Sequence, residues 1–225
     1  MRISLHLADE RDRERIYELR HQVYARELGQ HAENGEGQLR DKLDEINTYL
    51  VARVAGAVVG FVSITPPGTV GYSIDKYFAR RDVPLAFDQG LYEVRLLTVT
   101  RAHRGTRVAL LLMHGALRYV EAHGGTRVVA TGRVDLLDMY RHAGFTSLGL
   151  RVKSGEVTYE LMTAEVRDLQ AHRAVFTRPL TRLERLVDWQ VPGLAFRGAE
   201  GCAHGGASFD STNRWKRSRH RPSTS

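Results

Sequence analysis

The sequence predicts one α/β domain in which helices cover both faces of a single mixed central sheet. The first reason is the order of patterns along the chain: strand, helix, antiparallel strands, then strand, helix, strand, helix and two strands. The second is composition, because 42% hydrophobic and 26% charged residues in a chain of 225 are typical of a globular protein with one core. The third is that no apolar stretch approaches the roughly 18 residues that a membrane span needs.

The sequence also excludes several classes of protein. The charged start MRISLHLADERDRER lacks the apolar segment of a signal peptide, so we expect a cytoplasmic protein without membrane contact. The single cysteine, Cys202, cannot form an internal disulfide, and it excludes a cysteine-based zinc cluster. The ten histidines show no metal-ligand spacing, so we expect no metal cofactor.

The N-terminal half is predicted to contain a strand, a long helix and a β-hairpin. The alternating segment ISLHL (3–7) predicts the strand, and apolar residues near helical spacing predict a helix over about 9–28. The acidic segment that begins at Asp41 is expected to form a short helix running into two strands. A turn near Ala55-Gly56 is expected to join those strands.

The C-terminal half continues the α/β order. Residues 69–90 are predicted to be irregular, with a helical insertion at YSIDKYFARRD (72–82). The later elements are predicted as strand LYEVRLLTVT, a helix ended by Gly124-Gly125, strand TRVVATG, helix VDLLDMYRHAG, and strands FTSLGLRV and EVTYELMTA.

Two segments are expected to follow the domain at 1–164: a helical extension at 165–200 and a disordered basic tail at 201–225. The extension carries apolar residues at helical spacing in PLTRLERLVDW, which either pack on the protein's own core or dock a partner. Residues 203–225 hold four of the seven net positive charges, and their polar, Gly- and Ser-rich composition predicts disorder. The tail is either a solubilising end or an arm that binds a polyanion around Trp215.

The junction from Arg104 to Ala109 is the most informative feature of the sequence. There a strand rich in apolar residues meets a turn containing Gly105 and then a helix. The N-terminus of a helix offers unpaired N–H groups and a positive dipole end, which can hold a phosphate. Arg101 and Arg107 add positive charge to that of Arg104. The alternative is an ordinary strand-to-helix turn with a solvated basic face.

This junction resembles the donor-binding motif of the GNAT superfamily of acyltransferases, Arg/Gln-x-x-Gly-x-Gly/Ala, and LLDMYRHAGF resembles that superfamily's second signature. In the N-terminal half, RIYELRHQVYARELG, Asp41-Lys-Leu-Asp44 and Glu93-Val-Arg95 are similar to the branch containing acyl-homoserine-lactone synthases and N-acyl amino acid synthases. The resemblance covers roughly residues 3–163. It implies a GNAT-like sheet, a coenzyme A or acyl carrier protein thioester as donor, and an amino acid or its derivative as acceptor.

The resemblance implies that the donor's phosphates lie on the 104–109 turn and that its pantetheine arm follows a splayed strand. The residues implied in donor binding are Leu97, Thr98, Val99, Arg104, Gly105, Thr106, Arg107, Val108 and Ala109. Two positions depart from the family pattern. Arg107 replaces the motif's Gly, where it either crowds the usual pyrophosphate or contacts a phosphate directly, and Ser63 stands where those families often carry Arg.

Amide formation needs a base that frees the acceptor amine and a group that stabilises the leaving thiolate. Glu93 is the candidate base. The alternative is a structural ion pair with Arg95, because the two side chains share one face of the strand. Tyr140 is the candidate acid, and its alternative is a tyrosine that packs at a helix end.

Four residues are candidates for acceptor binding: Arg20, Tyr24, Asp44 and Arg95. Arg20 and Tyr24 share a helix face and could line the acceptor cleft or cap the core. Asp44 could bind the acceptor's ammonium group or be a solvated residue of the acidic helix, and Asp41 is expected to be solvated there.

These observations predict an amide-forming N-acyltransferase for a small-molecule amine, with natural-product biosynthesis as the expected setting. An aminoacyl-tRNA is a second donor class, because its ester is activated and the basic turn, Arg80-Arg81 and the cationic tail suit a nucleic acid. A non-catalytic interaction module on the same scaffold is a third hypothesis. The partner is accordingly a carrier protein, a tRNA or neither, and the oligomeric state stays open.

Overall fold

The computed structural model describes residues 2–169, 184–185 and 187–194. These residues form one eight-stranded mixed sheet with the strand order β6-β7-β5-β4-β3-β2-β1-β8. The strands are β1 (Ile3–Leu7), β2 (Thr48–Val54), β3 (Ala57–Thr65), β4 (Leu91–Val99), β5 (Arg127–Arg133), β6 (Thr146–Ser154), β7 (Val157–Glu165) and β8 (Val187–Gln190). The α-helices are α1 (Glu10–Arg20), α2 (Val108–Ala122) and α3 (Leu137–His142). Within the part of the chain that the structure describes, no helix has both the length and the apolar character to cross a membrane.

Helices cover both faces of the sheet because side chains alternate along each strand. On β2, Tyr49 and Val51 pack towards α1, whereas Leu50 and Ala52 belong to the larger core beneath α2. The α/β prediction with helices on both faces is therefore confirmed.

The first helix changes geometry halfway along its predicted length. A capping box between Asp9 and Asp12 starts α1, and the helix continues from Arg20 as a π-helix over His21–Glu27. A π-helix carries i to i+5 bonds and is frequently found at functional sites. Here it forms part of the wall of the cavity described below.

The short helix predicted after Asp41 is wrong. Residues 42–46 form turns, because both carboxylates bond to nearby backbone instead of allowing a helix to propagate. Asp41 Oδ1 accepts from the Leu43 N–H at 2.8 Å, and Asp44 Oδ2 accepts from the Asp41 N–H at 2.6 Å.

The β2–β3 hairpin turns at Ala55-Gly56 as predicted, with positive φ angles of 50° and 82°. The helical insertion predicted at 72–82 is shorter than expected: it consists of two 3-10 turns, Ser73–Lys76 and Arg80–Asp82.

Two adjacent strands part in the middle of the sheet. β4 pairs with β5 only where 91–93 lie beside 127–129, and beyond Glu93 the rest of β4 pairs, among the described strands, with β3 alone. The register of β3 and β4 shifts between Phe61 and Ser63, where Leu96 has a φ of 55°. The resulting wedge between β4 and β5 is the splayed strand that the GNAT resemblance implied.

The extension was predicted to be helical, and that is wrong for Val187–Gln190. These residues form β8, which runs parallel to β1 with Trp189 opposite Leu5. A β-branched and an aromatic residue suit a strand, and the open edge of β1 supplies the partner. Leu180, Leu183 and Leu186 of the predicted helix, and the basic tail, lie outside the described residues.

Gly60 sets how closely α2 approaches the splayed strands. A Cβ at this position would lie 2.8 Å from the Thr98 carbonyl oxygen and 3.2 Å from Leu112. We expect Gly60→Ala to lower the free energy of unfolding by about 1–3 kcal/mol, because backbone cannot yield as a flexible side chain can. Denaturant titration measures this change. Gly68→Ala is the matched control, since no atom of the residues that the structure describes lies within 4 Å of a Cβ built there; an equal loss in both variants would contradict the packing argument.

Candidate active site

A cavity of about 440 Å³ lies at the wedge where β4 and β5 diverge. Its walls come from β4, β5, the π-helix, the turn before α2, α3 and the β6–β7 hairpin. Residues from both halves of the chain therefore meet around one space.

Most of the predicted donor-binding residues lie on this cavity. Six of them line its wall: Leu97, Thr98, Val99, Arg104, Gly105 and Ala109. Thr106 and Arg107 are exposed on the same turn but outside the wall, and Val108 is buried in the core.

The turn at Gly105 and the start of α2 lie at one end of the cavity. Gly105 adopts a φ of 74°, which lets the chain reverse without strain. Leu111 donates the first intrahelical bond, to the Arg107 carbonyl at 2.9 Å, whereas the N–H groups of Arg104 and Thr106 donate to carbonyls within the turn. The donors that a helix N-terminus leaves for an anion are therefore those of the first turn of α2, where Ala109 lines the cavity. This end of the cavity can accept an anion.

Arg104 is already engaged in holding this turn. Its Nε donates to the Val99 carbonyl at 3.1 Å, and its Nη2 lies 2.6 Å from Glu27 Oε2 on the π-helix. The side chain therefore links the end of β4 to the π-helix. Arg107 is exposed on the same turn and lies outside the cavity wall.

At the opposite end the structure brings Arg20, Tyr24 and Arg95 together with Asp41 on the cavity wall. Asp44 is not on that wall. It is buried, and its carboxylate accepts from Arg20 Nη1 at 2.7 Å and from the Tyr49 hydroxyl at 2.5 Å. Asp41 therefore faces the cavity in place of the predicted Asp44. The reason is that the turns at 42–46 point Asp41 towards the cavity and Asp44 into the core.

Asp41 is held between two arginines. Its Oδ2 lies 2.5 Å from Arg95 Nη2 and 3.2 Å from Arg20 Nη2. Burial works to raise its pKa, but the charge of Arg95, the Leu43 N–H and the charge of Arg20 outweigh it, so the pKa of Asp41 is lowered. The expectation that Asp41 is merely solvated is therefore wrong.

Tyr24 forms part of the cavity wall between the end at Gly105 and the end at Asp41. Its hydroxyl lies 3.1 Å from Thr98 Oγ1, and Thr98 Oγ1 in turn donates to the Leu96 carbonyl at 2.9 Å. Burial raises the pKa of Tyr24 to about 12. The hydroxyl therefore stays protonated at neutral pH.

Glu93 is fully buried and does not line the cavity. Its Oε2 accepts from the Ser73 N–H at 2.7 Å, and its Oε1 accepts from the Ser73 hydroxyl at 2.5 Å. Burial raises its pKa, although Arg95 and the donors from Ser73 and Ile74 oppose the shift. Arg95 pairs with Asp41 rather than closing an ion pair with Glu93.

Tyr140 lines the cavity from α3, on the far side of the wedge. Its ring packs edge-on against Phe145, with centroids 6.1 Å apart, and against Gly132, where a Cβ would come within 2.6 Å of Cε2. Burial, followed by the nearby Tyr159, raises the pKa of its hydroxyl. Tyr140 is therefore a protonated donor at neutral pH, and its packing positions the ring.

Sequence reasoning missed Ser73, His31 and Lys76, which also line the cavity. Burial and the charges of Arg20 and Lys76 lower the pKa of His31, which shows how much positive charge collects at this end. Ser73 lies in the irregular segment after β3, whose position over β4 no local pattern reveals. Within the described ranges, no group of three or more His, Cys, Asp or Glu side chains could hold a metal ion.

Comparison with known proteins identifies related sequences and folds. The family model described as N-acyl amino acid synthase FeeM matches residues 15–166. No curated protein matches the sequence.

Three solved structures illustrate the likeness of fold. The CoA-dependent acyl-homoserine lactone synthase BjaI, solved with SAM and isopentyl-CoA, is 19% identical, with a TM-score of 0.68 over 88% of this chain and 97% of its own. The AHL synthase LasI is 18% identical, with a TM-score of 0.62 over 73% of this chain and 89% of its own. The N-acyl amino acid synthase FeeM from uncultured soil microbes is 16% identical, with a TM-score of 0.59 over 76% and 94%. At these identities the likeness shows a shared GNAT-like fold.

Proposed function

The chain belongs to the N-acyl amino acid synthase FeeM family, and from this membership we propose that it joins an acyl group from a thioester donor to the amine of an amino acid or a close derivative. As a member of this family the chain is an N-acyltransferase. The hypothesis of a non-catalytic interaction module is therefore dropped. The observation that carries the proposal is that one cavity has two chemically different ends, one suited to an anion and one lined by Arg20, Asp41 and Arg95.

The donor is proposed to enter along β4. Beyond Glu93 the only described strand that pairs with β4 is β3, so the other edge of β4 faces the wedge at 97–99. The amides of a pantetheine arm can bond to such an edge as an added strand does. The phosphates of the donor then reach the turn before α2, where backbone N–H groups and exposed arginines favour negative charge.

The acceptor is proposed to occupy the other end. Asp41 offers a carboxylate on the wall to the acceptor's amino group, while Arg20 and Arg95 hold it in place. Arg40 and Lys76 add positive charge on the same wall, which suits the carboxylate of an amino acid.

The reaction needs the amine in its neutral form and a proton for the departing sulfur. We assign proton acceptance to Glu93, and proton donation to Tyr140 on the opposite side of the wedge. The amine nitrogen bonds to the thioester carbonyl carbon, the carbon–sulfur bond breaks, and the thiol leaves with the proton that Tyr140 supplies.

Product identification tests this proposal. The chain is incubated with a series of acyl-coenzyme A or acyl carrier protein thioesters and a mixture of amino acids, and N-acyl products are sought by mass spectrometry. We expect an N-acyl amino acid that forms equally well after ribonuclease treatment. Dependence on an aminoacyl-tRNA, with loss of activity after ribonuclease or at raised salt, would replace the thioester donor. Absence of any amide with every thioester would contradict the proposal.

Arg107 is expected to contribute to donor binding through direct contact with a phosphate. Arg107→Ala should raise the KM for the thioester donor by about fivefold, corresponding to about 1 kcal/mol for an exposed charged hydrogen bond, and leave kcat unchanged. Steady-state kinetics at constant salt measure both values. Arg118→Ala, on the same helix away from its N-terminus, is the control. A lower KM in Arg107→Ala would instead mean that this side chain crowds the donor.

A further inference from the structure

We propose that Ser73 is the catalytic group that passes the acceptor's proton from the cavity to the buried carboxylate of Glu93. This inference rests on the proposed N-acyl transfer. It adds a residue that the sequence did not indicate and makes the base a pair of side chains rather than one.

The first observation is that Glu93 lies behind the wall. Its relative exposure is 0%, and it is not among the residues that line the cavity, so an acceptor amine in the cavity cannot touch it. Ser73 lines the cavity and is 9% exposed. A proton that travels from the amine to Glu93 can therefore pass through the serine hydroxyl.

The second observation is the geometry of the contact. Ser73 donates twice to one carboxylate, through its hydroxyl at 2.5 Å to Oε1 and through its N–H at 2.7 Å to Oε2. Because the hydroxyl proton already points at Glu93, the lone pairs of Ser73 Oγ are left to accept a proton from elsewhere. The hydroxyl is therefore arranged to give one proton inwards while it receives another.

The third observation is that the neighbouring residues hold Ser73 in place. The hydroxyl of Tyr72 donates to the Leu91 carbonyl on β4 at 2.7 Å, and the Tyr72 N–H donates to Asp75 Oδ2 at 2.8 Å. Asp75 in turn is bound by Arg80 through two bonds of 2.8 and 2.9 Å. The 3-10 turn is thus fixed against β4 before an acceptor arrives.

The step balances without any further reactant. The neutral acceptor amine attacks the thioester carbon with its lone pair, the π pair of the carbonyl moves to oxygen, and one N–H bond breaks as Ser73 Oγ takes that proton. The original hydroxyl proton moves to Glu93 Oε1. The carbonyl then re-forms, the carbon–sulfur bond breaks and Tyr140 protonates the sulfur, so that Glu93 ends with one proton more and Tyr140 with one fewer, and proton exchange with solvent restores both.

Two variants of equal size separate the relay from packing. Ser73→Thr keeps a hydroxyl, whereas Ser73→Val has nearly the same shape as Thr without one. Both keep the backbone N–H that binds Glu93 Oε2. The melting temperatures of the two variants are compared first. Equal values show that the two substitutions affect folding to the same extent.

We expect Ser73→Val to have a kcat about 10²-fold below that of Ser73→Thr, with KM values for both substrates within about threefold. Ser63→Ala is the control, because this buried hydroxyl has no hydrogen-bond partner among the described residues and lies off the cavity wall; it should keep wild-type kcat. Equal kcat in the Val and Thr variants, with wild-type protein active, would overturn the relay alone. Failure of the wild-type protein to form any amide would overturn the relay and the proposed function together.

Discussion

Replacement of Glu93 by Gln is expected to lower the kcat of amide formation by about 10²–10⁴-fold, the usual contribution of a positioned base. Gln has the same shape, and its amide oxygen can still accept from the Ser73 N–H, but it cannot take a proton from the acceptor. The KM values for donor and acceptor should change little, because Glu93 does not line the cavity.

The pH dependence of this variant gives a second readout. Burial raises the pKa of Glu93, and the base acts only when ionised, so the ratio of wild-type to Glu93→Gln activity should grow as pH rises through that pKa and then level off. The ionisation of the acceptor amine is common to both proteins and cancels in the ratio. A ratio near one at all pH values, with both proteins folded, would show that Glu93 is structural.

Replacement of Tyr140 by Phe is expected to lower kcat by about 10²-fold with natural thioesters. The change removes only the hydroxyl, and the ring keeps its edge-on contact with Phe145 and its packing against Gly132. If the hydroxyl protonates the leaving sulfur, the defect should shrink with donors whose thiols are more acidic, because these leave without a proton.

A series of synthetic thioesters of graded thiol pKa measures this trend. Tyr92→Phe is the control, since its hydroxyl donates to the His123 carbonyl and the residue lies off the cavity wall. A constant defect across the series would contradict proton donation by Tyr140 and favour a packing role.

The fold was largely predictable because its signals are local. Alternation predicted the β2–β3 hairpin and its turn at Ala55-Gly56, and the apolar strand followed by a Gly-containing turn predicted the entry to α2. These elements depend on neighbouring residues, so one sequence contains the information. The edge strand β8 was missed because its partner, β1, is more than 180 residues away.

The site was predictable only in part, because its arrangement depends on contacts between segments that are far apart in the sequence. The motifs led to the turn at Gly105 and to β4, but they could not show which of two aspartates faces the cavity. That choice depends on how the turns at 42–46 meet Arg20 and Arg95. Ser73 gave no signal because its role depends on a loop folding over Glu93.

Release of thiol as a function of acceptor is the most direct test of the central claim. The donor thioester is mixed with the chain, first alone and then with the amino acid that gives product, and free thiol and amide are both quantified. We predict that thiol release requires the amino acid and that one amide forms for each thiol released. Release of thiol at the same rate without the amino acid, or without matching amide, would contradict transfer to an amine.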